Sequence, residues 1–296
     1  MQVDAPTSTA TALARLVRPK QWVKNVLVVA APLAAGVLLQ PDVLARTVMA
    51  FVCFCLAASA TYLVNDVLDR ESDRQHPKKR ERPVAAGLVS PRTATTLAIV
   101  LGLAAIVIPL IFHAYSLTYV ILGYLALQIA YVGWLKHEPV LDIACIAGGF
   151  LLRAIAGGAA ANVPLSNAFL IVVGFGALFM AVGKRYSELE THDQATHQTR
   201  RALNGYTPSF LRMLLAVSAS VTLIGYALWA FEIAGKSQLP MATMSVIPFT
   251  LALLRYARDI DAAEAEAPED LVLGDRTLLV LGLIWLVLFA SQAMYS

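Results

Sequence analysis

The feature that most constrains this chain is a succession of apolar runs, each long enough to cross a bilayer, separated by polar stretches that are alternately basic and nearly neutral. A bilayer-crossing helix needs about 20 predominantly apolar residues. Runs at 21–40, 43–64, 92–112, 115–135, 139–161, 165–183, 209–231, 239–257 and 276–295 meet or approach that length. In lipid the backbone must satisfy its own polar groups, so such runs fold as helices. The reading is an all-α polytopic membrane protein: nine transmembrane helices, a polar tail over 1–20, and a single integral membrane domain over 21–296. With 58% apolar and 15% charged residues, and a mean hydropathy of +0.66, the chain departs from soluble domains, which carry about 25% charge. A soluble enzyme, a disordered chain and a nucleic-acid binder are excluded together.

Charge placement orients the helices. All of the 23 Lys and Arg lie on the side of the N-terminal tail except Arg46, Lys236 and the intramembrane Arg153. By the positive-inside rule that side is cytoplasmic, and nine spans put the C-terminus outside. The expectation is a multi-pass protein of the inner (plasma) membrane, with a polar cavity facing the cytoplasm. Cys53, Cys55 and Cys145 all sit in apolar runs and read as small buried hydrophobes.

The first polar constellation closes the second span, where Asn65-Asp66-Val67-Leu68-Asp69-Arg70-Glu71-Ser72-Asp73 repeats N-D-x-x-D-x-x-x-D. On a helix, positions 65, 69 and 73 stack on one face about 6 Å apart. Like charges at that spacing repel unless a cation bridges them. Hard oxygen donors suit Mg²⁺, which takes one or two carboxylates and completes its shell with water and substrate phosphate. Asn65, Asp66, Asp69 and Asp73 are therefore candidate metal ligands, with the three aspartates as candidate catalytic groups. The basic run His76-Pro77-Lys78-Lys79-Arg80-Glu81-Arg82 follows at once. It suits the phosphate charge that a metal leaves uncovered.

The second constellation, Gly183-Lys184-Arg185-Tyr186-Ser187-Glu188, closes the sixth span on the same side. Arg153 sits mid-span, where an arginine is costly and usually faces a polar cavity, and the glycines around it allow close helix packing. Asp142 is expected to pair with Lys136 across the membrane boundary.

These motifs, together with Arg18-Pro19-Lys20-Gln21-Trp22-Val23-Lys24-Asn25, Arg82-Pro83-Val84-Ala85-Ala86-Gly87 and Pro268-Glu269-Asp270, resemble the UbiA superfamily of membrane prenyltransferases. Within it they are similar to the phosphoribosyltransferase branch, and the likeness runs from about Arg15 to the last span. The chain departs from ordinary prenyltransferases in one respect. Their second aspartate-rich motif is replaced here by Lys184, Arg185 and Glu188, which suits a phosphate better than a second metal. The resemblance implies Mg²⁺-dependent transfer of 5-phosphoribosyl from 5-phosphoribosyl 1-diphosphate (PRPP) to decaprenyl (polyprenyl) phosphate, feeding cell-wall arabinan synthesis. It also implies that Lys24, Asn25, Lys79, Arg82, Lys136, Arg153, Lys184 and Arg185 contact substrate, that Tyr62 lines the ribose site, and that Asp66 stabilises positive charge on the sugar. A homo-oligomer is compatible with the sequence. The rival readings are an aromatic prenyltransferase of quinone synthesis and an anion transporter built around Arg153.

Overall fold

The computed structural model describes residues 9–77, 79–191, 203, 205–234, 240–263 and 268–295. Lys78, Arg200, Arg201 and Lys236, which entered the charge alternation, lie outside them. Among the described residues there are helices and turns and no strand. A short α1 (Thr9–Leu16) is followed by a 3-10 segment (Pro19–Val29), α2 (Ala30–Ala34), α3 (Pro41–Leu68) and the polar α4 (Arg70–Gln75). Then come α5 (Pro91–Ile111), α6 (Tyr115–Gly133), α7 (Leu141–Ala161), α8 (Asn167–Thr191), α9 (Pro208–Ala234), α10 (Met241–Met244), α11 (Val246–Asp261), α12 (Pro268–Gly274) and α13 (Arg276–Tyr295).

Six of these, α3, α5, α6, α7, α8 and α9, are long and apolar enough to cross a membrane, so the chain is a multi-pass membrane protein. The other three expected spans take different forms. The first is 3-10 from Pro19 to Val29 before α2. Residues in a 3-10 helix rise about 2.0 Å each, so this segment covers more depth per residue than an α-helix. The eighth is broken at Ser245 between α10 and α11. The ninth is α13, apolar from Arg276 to Gln292.

Helix starts follow local chemistry. Pro41 and Pro91 occupy first-turn positions of α3 and α5, where a missing N–H costs nothing. Ser90 caps α5, its Oγ accepting from Thr93 N at 3.1 Å. The most buried of the spanning helices is α3. Its Ala50, Cys53, Phe54 and Ala57 pack with Tyr124 of α6 and Ala156 of α7. A second core gathers Phe179, Val182 and Tyr186 of α8 with Leu211 of α9 and Ile260 of α11. By contrast α5 and α6 leave Ile99, Leu103, Tyr119 and Ile129 more than half exposed. Lipid tails suit such surface and water does not.

The glycines of α7 serve packing, as expected. A Cβ at Gly157 would lie 1.9 Å from the backbone oxygen of Val28. The 3-10 segment therefore rests backbone-to-helix on α7. Gly157→Ala is expected to push the two apart and cost about 1–3 kcal/mol, seen as a lower unfolding temperature in detergent. An unchanged unfolding temperature would mean that this contact does not hold the segment.

Candidate active site

The end of α3 and the turn into α4 carry the acidic cluster, and three separate pieces of chain bring cations to it. The helix breaks at Asp69, which closes α3 and precedes α4. Asp66 and Asp73 are 2% and 3% exposed. Asp66 Oδ1 accepts from Arg18 Nη2 and from Arg82 Nη1 at 3.2 Å. The same Arg82 nitrogen donates to Asp73 Oδ2 at 2.7 Å. Asp69 Oδ1 accepts from Lys136 Nζ at 2.6 Å. A buried carboxylate without such partners would be forced towards its neutral form. The Arg18 guanidinium also lies 5.1 Å from the centre of the Tyr62 ring, which joins the expected ribose-site tyrosine to the cluster.

Arg18 was not singled out from sequence as a site residue. It adopts a left-handed conformation (φ 52°) just before Pro19, turning the chain so that its side chain meets a helix 48 positions later. The only available signal was its place in the Arg18-Pro19 motif. Asn65 is half-buried on α3. Lys79 lies in the loop beyond α4, where its backbone N donates to His76 Nδ1 at 3.3 Å.

The donor set fits a hard cation in one particular way. Asn and Asp oxygens are suitable donors, and Mg²⁺ needs only one or two carboxylates when a substrate supplies phosphate oxygens. Among the described residues no three acidic, His or Cys side chains converge as a ready-made cage. Asp69, with Asn65 one turn before it and Asp66 or Asp73 beside it, could hold such an ion with substrate phosphate.

Four other expected site residues, Asn25, Arg153, Lys24 and Lys184, have contacts of their own. Asn25 is fully buried. Its Oδ1 accepts from Arg153 Nε at 2.7 Å, and its Nδ2 donates to Cys55 Sγ at 3.3 Å. Arg153 also donates to Gly149 O and to the Tyr124 hydroxyl, and Phe54, Tyr124 and Phe150 surround its guanidinium. It forms no ion pair with a described carboxylate. Lys24 donates to Gln21 Oε1 at 2.6 Å, and Lys184 is half-buried on α8.

The pairing expected between Asp142 and Lys136 is corrected. Lys136 turns to Asp69, and Asp142 turns to Arg185, whose Nε donates to Asp142 Oδ2 at 2.6 Å. Arg185, 1% exposed, also donates to Glu188. Tyr206 completes the group: its hydroxyl donates to the other Asp142 oxygen and accepts from Val140 N at 2.6 Å. Val140 has φ 70°, a strained backbone for a β-branched residue, so Tyr206 pins a loop that would otherwise relax. The physical reason for the exchange is reach. Lys136 sits in the turn before α7 and Asp142 in the first turn of α7, so each reaches a different neighbouring helix.

Burial, then the hydrogen bond to Asp142, pushes the Tyr206 phenol above the usual tyrosine range. The proton is therefore bound more tightly in the folded state. That contribution to stability is intact below pH about 10 and lost only above it. Asp142→Ala removes the more buried of the two carboxylates on a buried guanidinium and is expected to cost about 3 kcal/mol. Glu188→Ala, at a more exposed position, should cost less. Thermal unfolding of both variants in detergent checks the order; equal stabilities would refute the assignment.

Comparison with known proteins gives consistent matches. A model described as the UbiA prenyltransferase family matches residues 26–287. A protein of Mycobacterium tuberculosis named decaprenyl-phosphate phosphoribosyltransferase is 47% identical, over 98% of this chain and 97% of its own. One of the same name from Corynebacterium glutamicum is 46% identical, over 95% of this chain and 86% of its own. Among solved structures, a UbiA homolog from Archaeoglobus fulgidus bound to DMAPP and Mg2+ superposes with a TM-score of 0.71 at 19% identity, covering 94% of this chain and 96% of that one.

Proposed function

Because this chain belongs to the UbiA prenyltransferase family, we propose that it transfers the 5-phosphoribosyl group of PRPP to a polyprenyl phosphate such as decaprenyl phosphate, releasing diphosphate. The observation that carries this reading is the acidic cluster Asp66, Asp69 and Asp73, ringed by Arg18, Arg82 and Lys136 at a membrane boundary. The near full-length likeness to proteins named for that activity supports it. Such a site offers donors for a metal–diphosphate and cations for the remaining phosphate charge, while its helix leads into the bilayer.

The step balances without a redox partner. An anionic oxygen of the lipid phosphate forms a bond to ribose C1. The bond from C1 to the diphosphate oxygen breaks, and diphosphate leaves with the electron pair. The nucleophile is already ionised at neutral pH, so no strong general base is required. Asp69, Asn65 and Asp66 or Asp73 would hold Mg²⁺, which when bound offsets charge on the leaving diphosphate. Arg18 and Arg82 sit where they can pass from carboxylate to phosphate oxygens as substrate arrives. Asp66, beside Tyr62, faces the sugar as positive charge develops on C1. Arg185 and Asp142 frame the site, because the Arg185 guanidinium is already committed to two carboxylates.

The basic face is cytoplasmic, which lets a water-soluble sugar donor and a lipid acceptor meet at the inner membrane. The product would then serve cell-wall arabinan synthesis. A quinone-type prenyltransferase is disfavoured, because Lys184, Arg185 and Glu188 stand where a second acidic motif would be needed.

Membranes carrying the protein, supplied with labelled PRPP, decaprenyl phosphate and Mg²⁺, are expected to yield labelled lipid. Asp69→Ala should reduce the yield at least about 100-fold while the protein still elutes as folded material. Label confined to the aqueous phase with intact wild-type protein would refute the reaction. Full activity of Asp69→Ala would refute the role given to that carboxylate.

A further inference from the structure

Lys136 reaches Asp69 from a single 3-10 turn, Leu135–His137, between α6 and α7. Such a turn has poorer hydrogen-bond geometry than an α-helix, so a side chain on it depends on what fastens its ends. The chain then passes through Pro139 and Val140 into α7. Proline donates no backbone hydrogen bond. Val140 stands at the N-terminal cap of α7 without a capping side-chain hydrogen bond, and its φ is 70°. A β-branched residue enters that region only when its surroundings hold it there.

What holds it comes from a distant stretch, Gly205-Tyr206, just ahead of α9. The Tyr206 hydroxyl accepts from Val140 N at 2.6 Å and donates to Asp142 Oδ1. Tyr206 is 5% exposed, and its ring stacks on Phe210. Gly205 lets it come this close, since a Cβ there would lie 2.3 Å from Pro139 Cγ. Two neighbouring residues therefore grip two neighbouring residues, by contact at Pro139 and by hydrogen bond at Val140. Asp142 N donates in turn to Glu138 O at 3.0 Å, and Glu138 N to Leu135 O at 3.2 Å. Those bonds tie the grip to the turn that bears Lys136.

We propose that Tyr206, seated by Gly205, is a positioning residue for the transfer reaction: it sets the turn from which Lys136 meets Asp69, and so the place of one cation beside the acidic cluster. The proposal rests on the reaction given above and adds a residue that acts through Lys136 rather than on the substrate. The donor diphosphate would meet its metal at Asp69, where the Lys136 ammonium already lies 2.6 Å away. A displaced turn therefore weakens donor binding and leaves the lipid acceptor alone.

Tyr206→Phe removes the hydroxyl and keeps the ring. Gly205→Ala keeps the hydroxyl and pushes on Pro139, so the two variants disturb one turn by different routes. In membranes supplied with labelled PRPP, decaprenyl phosphate and Mg²⁺, each should raise KM for PRPP about tenfold, as a misplaced binding group does. KM for decaprenyl phosphate should stay at the wild-type value. In a Lys136→Met background neither substitution should raise KM for PRPP further, because residues that act as one unit are non-additive. Full additivity, or wild-type KM for PRPP in both single variants, overturns the proposal. A second readout needs no turnover. The Lys136 side chain is 15% exposed, and trace acetylation followed by mass spectrometry reports its reactivity. Both variants should acetylate Lys136 at least about threefold faster, the scale of a lost, partly exposed ion pair, with Lys24 unchanged. Unchanged Lys136 reactivity alongside a lower unfolding temperature would make Tyr206 a structural residue only and overturn the proposal. A wild-type protein that makes no labelled lipid overturns the reaction instead, and Lys136 reactivity then decides whether Tyr206 holds the turn.

Discussion

Three aspartates where α3 ends and α4 begins are paired with cations, and much of the fold is arranged around supplying them. The partners come from separated pieces of chain: Arg18 from the turn before Pro19, Arg82 from the loop beyond α4, Lys136 from the turn after α6. Each pairing pins a connection that would otherwise be free, since charge-assisted hydrogen bonds to buried carboxylates are among the stronger local forces. The same pairings hold the carboxylate oxygens of the candidate site in place.

The second buried cluster makes the first dependable. Lys136 lies in the turn after α6 and Asp142 in the first turn of α7, and each is committed to a different helix: Lys136 to Asp69, Asp142 to Arg185 of α8. Tyr206 fastens that turn from the chain leading into α9 and holds the strained Val140. Arg185, an expected phosphate ligand, is paired here with Asp142 and Glu188.

The fold class and the helix end that carries the acidic cluster were legible in the sequence because both are written in local pattern. Apolar runs of bilayer length predict helices, and N-D-x-x-D-x-x-x-D at the end of the second run marks one helical face. What escaped depends on the path of the chain between those patterns. The first span has enough apolar residues, yet it is 3-10 over Pro19–Val29, where Val28 comes close to Gly157. Arg18 reads as one more tail charge until its left-handed turn is known. Lys136 and Asp142 are near enough in sequence to suggest pairing with each other, and only the placement of α3 and α8 shows why they part.

Under the proposed reaction, Asp66, Asp69 and Asp73 exchange their basic partners for a metal-bound diphosphate. Calorimetric titration of the purified protein with PRPP, with Mg²⁺ present and with the metal chelated, measures that exchange. Mg²⁺ is expected to tighten PRPP binding by at least about tenfold, an amount within the usual range for coupled ligands. Equal affinity with and without metal would contradict it.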